Sequence, residues 1–198
     1  QGGAAAAKWL PRRGAEQHSA IKAVLSIDVF GQPADYDRIR KVCDRYNLPL
    51  IEDSCEALGA AYKGRTAGTL GTYGVFAFYP NKQITTGEGG IIITDDEEAA
   101  ALMQALRNQG RAPGDAWLQH TYLGCNYRLD EMSAALGLSQ LKRLDHMLQT
   151  RAQVAQWYQT HLREFPMIQT PQIVPTTTRM SWFVYVIRVD ASIDRDTF

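Results

Sequence analysis

The segment from Ala23 to Asp53 constrains this chain most. Ala23 to Phe30 reads AVLSIDVF, a short apolar run of strand formers, and Gly31-Gln32-Pro33 stops it. Tyr36, Ile39, Val42, Cys43 and Tyr46 then recur at helical spacing within 35–46. Leu48 to Ile51 is a second apolar run, closed by Glu52-Asp53. Strand, helix and strand in so short a stretch predict a βαβ unit, whose strands must run parallel because a helical crossover returns the chain to the same edge. The chain is therefore read as α/β, with a mainly parallel sheet flanked by helices.

Further elements follow the same logic. Val75 to Tyr79 and Ile91 to Thr94 predict two more strands. Asp95-Asp96-Glu97-Glu98 places acid where a helix dipole favours it, predicting a helix that ends near Asn108 before Gly110. Residues 111–127 read as loop. Met132, Leu136, Leu141, Leu144 and Leu148 mark one long helical stretch from Asp130 to about Arg163. Pro166, Pro171 and Pro175 punctuate a linker, and Trp182 to Val189 (WFVYVIRV) predicts a strand. The division expected is an irregular leader over 1–20, a main portion over 21–165, and over 166–198 a linker with the start of a smaller α/β C-terminal domain. The sequence opens on Gln1 rather than Met, which leads to the expectation of an excerpt or truncated product of a longer protein.

Composition narrows the partners. Lys+Arg 21 against Asp+Glu 21 leaves no net charge, so the basic excess of a nucleic-acid binder is missing. No stretch reaches the roughly 18 apolar residues of a membrane span. Cys43, Cys55 and Cys125 form no CxxC pair, which argues against a metal site and a disulfide framework and for a reducing, cytoplasmic setting.

Three segments carry chemistry. In FAFYPNKQITTGEGG, residues 76–90, a strand ends at Pro80, Lys82 follows in the loop, and Gly87, Gly89 and Gly90 come next. A lysine so placed suits a nucleophilic amine that forms a Schiff base with a carbonyl, with glycines that let the backbone pass close to a bulky ligand; a solvated loop lysine is the plainer alternative. In IEDSCEALGA, residues 51–60, Asp53 stands at the carboxyl end of a parallel strand, where open α/β sheets bind ligands. It could pair with a protonated ring nitrogen or cap a following helix. In LGCNYRLDEM, residues 123–132, Asn126 and Arg128 precede a helix, a place for anion contacts or a structural turn. No glycine-rich phosphate motif is present.

These segments in this order resemble the DegT/DnrJ/StrS family of pyridoxal phosphate (PLP)-dependent sugar aminotransferases. The resemblance rests on AVLSIDVFGQPADYDRI, LIEDSCEALGAAYKGRTAGTLGTYGVFAFYPNKQITTGEGGIIIT and LGCNYRLDEMSAALGLSQLKRLD, and covers about residues 22–165, with a fainter continuation through Ser181 to Val189. It implies the large domain of a fold-type-I aminotransferase and a homodimer with shared active sites. It also implies PLP as cofactor, a nucleotide-linked keto-sugar as substrate and an amino acid such as glutamate as donor. By position it implies that Lys82 is the lysine bonded to PLP, that Asp53 holds the pyridine nitrogen, that Glu56 stands near the ring where Gln is usual, and that Asn126 reaches the partner's cofactor phosphate. Ala77 replaces a frequent phosphate-binding Ser, and Asp28 a frequent His. Family members are longer at both ends, and their front segment carries the phosphate-binding turn. Sugar dehydratases of the family have His at the lysine, so Lys82 points to transamination. A non-catalytic PLP-binding protein, or an inactive truncation, is the alternative.

Overall fold

A computed structural model describes residues 21–194 and 196; the expected leader over 1–20 lies outside the described residues. The predicted βαβ unit is present. Strand β1 (Val24–Ile27) is followed by a 3-10 turn at Val29–Gly31, helix α1 (Tyr36–Tyr46) and strand β2 (Leu50–Asp53). β1 and β2 are parallel, with Val24 beside Leu50 and Ile27 beside Asp53. Strand β2 thus continues through both acidic residues that were expected to close it.

Two short strands, β3 (Ala61–Tyr62) and β4 (Arg65–Thr66), precede β5 (Tyr73–Ala77) and β6 (Gly90–Ile93). The main sheet has the order β1-β2-β5-β6. β2 and β5 are parallel, and β6 returns antiparallel to β5. The loop holding Lys82 therefore joins two antiparallel neighbours, while Asp53 ends the adjacent parallel strand.

The main apolar core comprises Tyr36 and Cys43 of α1, Leu50 of β2, Tyr62 and Leu70, with Val24, Ala34 and Ile39 packed against it. On α1 the buried stripe follows Tyr36, Ile39 and Cys43. Val42 and Tyr46, also expected on the apolar face, are half-exposed, because they sit on the flank of that stripe. Tyr36 and Tyr62 meet edge-on at 5.8 Å.

Helix α2 (Glu97–Arg107) starts where the acidic run predicts, and Asp96 caps it by accepting from Ala99 N at 2.9 Å. The long helical stretch after Asp130 is two helices: α3 (Glu131–Leu141), capped by Asp130, and α4 (Leu144–Leu162). The break at Lys142–Arg143 involves neither Pro nor Gly. It lets α4 lay Leu148 on Gly59, where a β-carbon would come within 2.4 Å of Leu148 Cδ1, so packing overrides helix continuity.

The C-terminal part departs from expectation as well. β7 (Ile168–Gln169) pairs with β9 (Arg188–Val189), and β8 (Thr177–Arg179) joins β3 and β4 in a second sheet. Trp182 to Val189 is not one strand. Its first residues bond to the turn after β1: Ser181 N donates to Gly31 O at 3.1 Å and Phe183 N to Phe30 O at 3.2 Å. Trp182 has φ 50°, which breaks an extended strand there. No helix among the described residues is long and apolar enough to cross a membrane.

Candidate active site

Asp53 and Lys82 come together around Cys55. The Cys55 thiol is pushed up to about 12, first by burial, then by a hydrogen bond to Asp53 and the charges of Asp53 and Glu56, with Lys82 acting in the opposite sense. All three charged groups thus act on one point at the carboxyl end of β2. Asp53 Oδ1 accepts from Cys55 N at 3.1 Å, a local turn that fixes the carboxylate as the chain leaves the strand.

Lys82 Nζ lies 4.0 Å from Glu56 Oε1, with side-chain exposures of 15% and 27%. The other oxygen of Glu56 accepts from Phe30 N at 2.7 Å. The Lys82 ammonium also stands 4.4 Å from the centre of the Phe183 ring, within cation–π range. Lys82 is therefore no solvated loop lysine: a carboxylate and an aromatic face hold its amine in a recess.

Three residues around this amine, Gln83, Ser181 and Phe183, were given no role from the sequence. Gln83 Nε2 donates to Glu56 O and, at 2.9 Å, to Ser181 Oγ, and Ser181 Oγ donates to Glu56 O at 3.1 Å. Gln83 Oε1 is buried without a partner among the described residues. Ser181 and Phe183 reach the site only by docking on the Phe30–Gly31 turn. Arg151 fastens them from α4 by donating to Trp182 O and Phe183 O, both at 3.1 Å.

The glycines after Lys82 serve the loop itself. A β-carbon on Gly89, where φ is 148°, would lie 2.6 Å from Thr86 Oγ1, and one on Gly90 would lie 2.9 Å from Phe76 O. Gly87 faces open space. The first two allow the hairpin to fold tightly on β5.

Asn126 lies elsewhere. It forms a bridge with Asn108 at the end of α2, and Arg128 Nη1 donates to Asn108 Oδ1 at 2.9 Å. No hydrogen bond among the described residues joins Asn126 to Asp53, Glu56 or Lys82. Ala77 ends β5 opposite Gly90 and offers no side-chain oxygen. Asp28 sits in the interior behind Asp53, where Tyr36 OH donates to it at 2.7 Å.

The α/β sheet thus places a recessed lysine amine and a carboxylate at neighbouring strand ends. Comparison with known proteins shows the family. The DegT/DnrJ/EryC1/StrS aminotransferase family matches residues 11–198, and the chain belongs to that family. It is 41% identical over 168 residues to a GDP-perosamine synthase of Caulobacter vibrioides, covering 85% of this chain and 45% of that one. Among solved structures it is similar to the aminotransferase TlmJ of Streptoalloteichus hindustanus (TM-score 0.83, 31% identity, 96% of this chain and 50% of that one). It is also similar to an E. coli GDP-4-keto-6-deoxy-D-mannose-3-dehydratase with bound PLP (TM-score 0.80, 28% identity, 92% of this chain and 51% of that one). The fold is thus that of PLP-dependent aminotransferases. The chain spans less than half the length of the curated relatives it matches.

Proposed function

We propose that this chain carries the catalytic lysine portion of a PLP-dependent aminotransferase acting on a nucleotide-linked keto-sugar, with an amino acid such as glutamate as donor. One observation carries the reading: the Lys82 amine is recessed beside Glu56 and Phe183, and Asp53 stands at the neighbouring strand end. The donor set fits PLP, with a primary amine for its aldehyde and a carboxylate for its ring nitrogen. When bound, PLP supplies the electrophilic carbonyl and the electron sink.

Each residue then has a defined task. Asp53 would hold a proton on the pyridine nitrogen of bound PLP by offering a fixed carboxylate. Lys82 Nζ would be the covalent anchor for PLP and, once released, the base that takes and returns the proton at the substrate carbon. Glu56, held by Phe30 N, orients the amine, and the Phe183 ring excludes water from its outer side. Asn126 contributes to the partner's cofactor phosphate in a homodimer with shared sites. The relatives' names support a nucleotide-linked sugar, since one makes GDP-perosamine and another acts on a GDP-keto-sugar. Three free cysteines fit a cytoplasmic setting.

The test is absorbance on addition of PLP. A band near the visible edge is expected and should vanish in Lys82→Ala; a band that survives that substitution overturns the assignment of Lys82. For the shared site, mixing Lys82→Ala with Asn126→Ala chains should restore partial activity, and mixtures as inactive as the parents would remove Asn126.

A further inference from the structure

Behind Asp53 lie two carboxylates with no cation. Asp28 and Glu52 are both fully buried, and among the described residues neither belongs to an ion pair. Asp28 Oδ1 accepts from Tyr36 OH at 2.7 Å and from Ala34 N at 2.9 Å, and its Oδ2 lies 2.7 Å from Ser54 Oγ. Glu52 Oε1 accepts from Gly68 N, and Oε2 accepts from Leu70 N at 2.7 Å and Gly71 N at 3.0 Å. Ser54 Oγ, also fully buried, is 3.4 Å from Glu52 Oε1. One hydroxyl, with one proton to give, stands between two carboxylates.

Two ionised carboxylates joined through one hydroxyl in a dry site are strongly disfavoured without a cation, because each loses its hydration and repels the other. The remaining neighbours do not neutralise them. Tyr36, from α1, stays a neutral donor, since burial and the Asp28 charge push its phenol upward. The loop at Gly68–Gly71 offers only backbone N–H groups. Arg40 reaches that loop but bonds to Leu70 O.

We propose that Asp28 and Glu52 hold one proton between them across Ser54 Oγ, and that this acid–carboxylate pair positions Asp53. The strand explains the second part. Glu52 and Ser54 flank Asp53, and side chains alternate along β2, so anchoring both inward turns Asp53 to the opposite face. Asp28 N donates to Asp53 O and Ser54 N to Val75 O, both at 3.0 Å, and these bonds close the strand end. Burial pushes both carboxyls above the ordinary range. The positioning claim rests on the role given to Asp53 above; the shared proton does not.

Infrared spectra of the full chain test the proton directly. At pH 7 (about three units above an ordinary carboxyl) a protonated-carboxyl carbonyl band is expected, and it should disappear in Asp28→Asn and in Glu52→Gln, each of which leaves a single carboxylate free to ionise. A wild type without the band, or a band unchanged in both variants, overturns the proposal. Because the folded pair binds the extra proton, stability is full below the ordinary carboxylate range and declines as pH rises through the pair's own titration. The unfolding constant should rise about tenfold per pH unit between the ordinary carboxylate range and that titration. Asn at position 28 mimics the protonated acid and should flatten that slope; an unchanged slope counts against sharing. If Asp28→Asn does not fold, the wild-type band and Glu52→Gln decide. For positioning, PLP absorbance in the wild type should change at the pH where the band is lost, and Asp28→Asn should lack that inflection. An inflection kept in the variant removes the positioning claim. Failure to bind PLP at all strikes the functional reading and leaves the infrared result standing.

Discussion

Glu56 uses its two carboxylate oxygens on two different segments: Oε1 faces Lys82 Nζ at 4.0 Å, and Oε2 accepts from Phe30 N at 2.7 Å. The backbone bond fixes the carboxylate, and the carboxylate fixes the amine. The arrangement needs the turn after β1, the loop after β2 and the β5–β6 hairpin all in place.

This relationship predicts different outcomes for two substitutions. Glu56→Gln keeps an acceptor for Phe30 N and loses only the charge beside Lys82, so unfolding free energy should fall by about 1 kcal/mol or less. Glu56→Ala also leaves the Phe30 N–H without its acceptor and should cost about 1–2 kcal/mol more. Urea unfolding of the two variants checks the order; equal losses would remove the Phe30 bond as the anchor.

The cysteines should react in a fixed order. The reacting species is the thiolate, and the Cys55 thiol is pushed up to about 12 by burial and the Asp53 carboxylate. Cys125 is exposed and Cys43 buried. Alkylation at pH 8 followed by peptide mapping should label Cys125 first and Cys55 only slowly. Cys55 labelling should keep rising as pH is raised toward about 12. Early labelling of Cys55 at pH 8 would contradict the environment described.

Gly31 joins the turn after β1 to the segment that brings Phe183. Its φ is 92°, and a β-carbon there would lie 2.6 Å from Ser181 Oγ and 2.8 Å from Trp182 N. Gly31→Ala should therefore destabilise by about 2–3 kcal/mol through strain and the clash. Ser181→Ala, which removes the hydroxyl bridging Gln83 and Glu56, should cost about 1–2 kcal/mol. Thermal and urea unfolding measure both; a neutral Gly31→Ala would contradict the docking of 181–183.

Leu148 is almost wholly buried on Gly59. Leu148→Ala should cost about 2–5 kcal/mol, the range for an aliphatic side chain deleted from a packed contact. A loss below 1 kcal/mol would show that α4 does not depend on this contact.

Much of the architecture could be read locally. The apolar runs at Ala23 and Leu48, with the stripe Tyr36–Ile39–Cys43 between them, specify a parallel βαβ unit because the helical crossover allows little else. Asp96 and Asp130 announce their helices, since an N-cap acts within one turn. Asp53 and Lys82 were singled out because one ends a strand and the other lies in the loop after one. The short strands β3, β4 and β8 escaped notice because pairing with a distant partner, rather than propensity, creates them. Trp182–Val189 has the composition of a strand, yet Phe183 N bonds to Phe30 O, and only Arg188–Val189 forms one.

The sequence by itself determined the order of the first strands and helix and the helix starts, properties that neighbours within a few residues settle. Only the tertiary structure decided that β6 runs antiparallel, that the stretch after Asp130 breaks to seat Leu148, and that Phe183 faces Lys82. Gln83 and Ser181 are 98 residues apart along the chain. Bringing such groups into contact is a matter of which buried polar atoms find partners once the core has closed, and no local pattern records it.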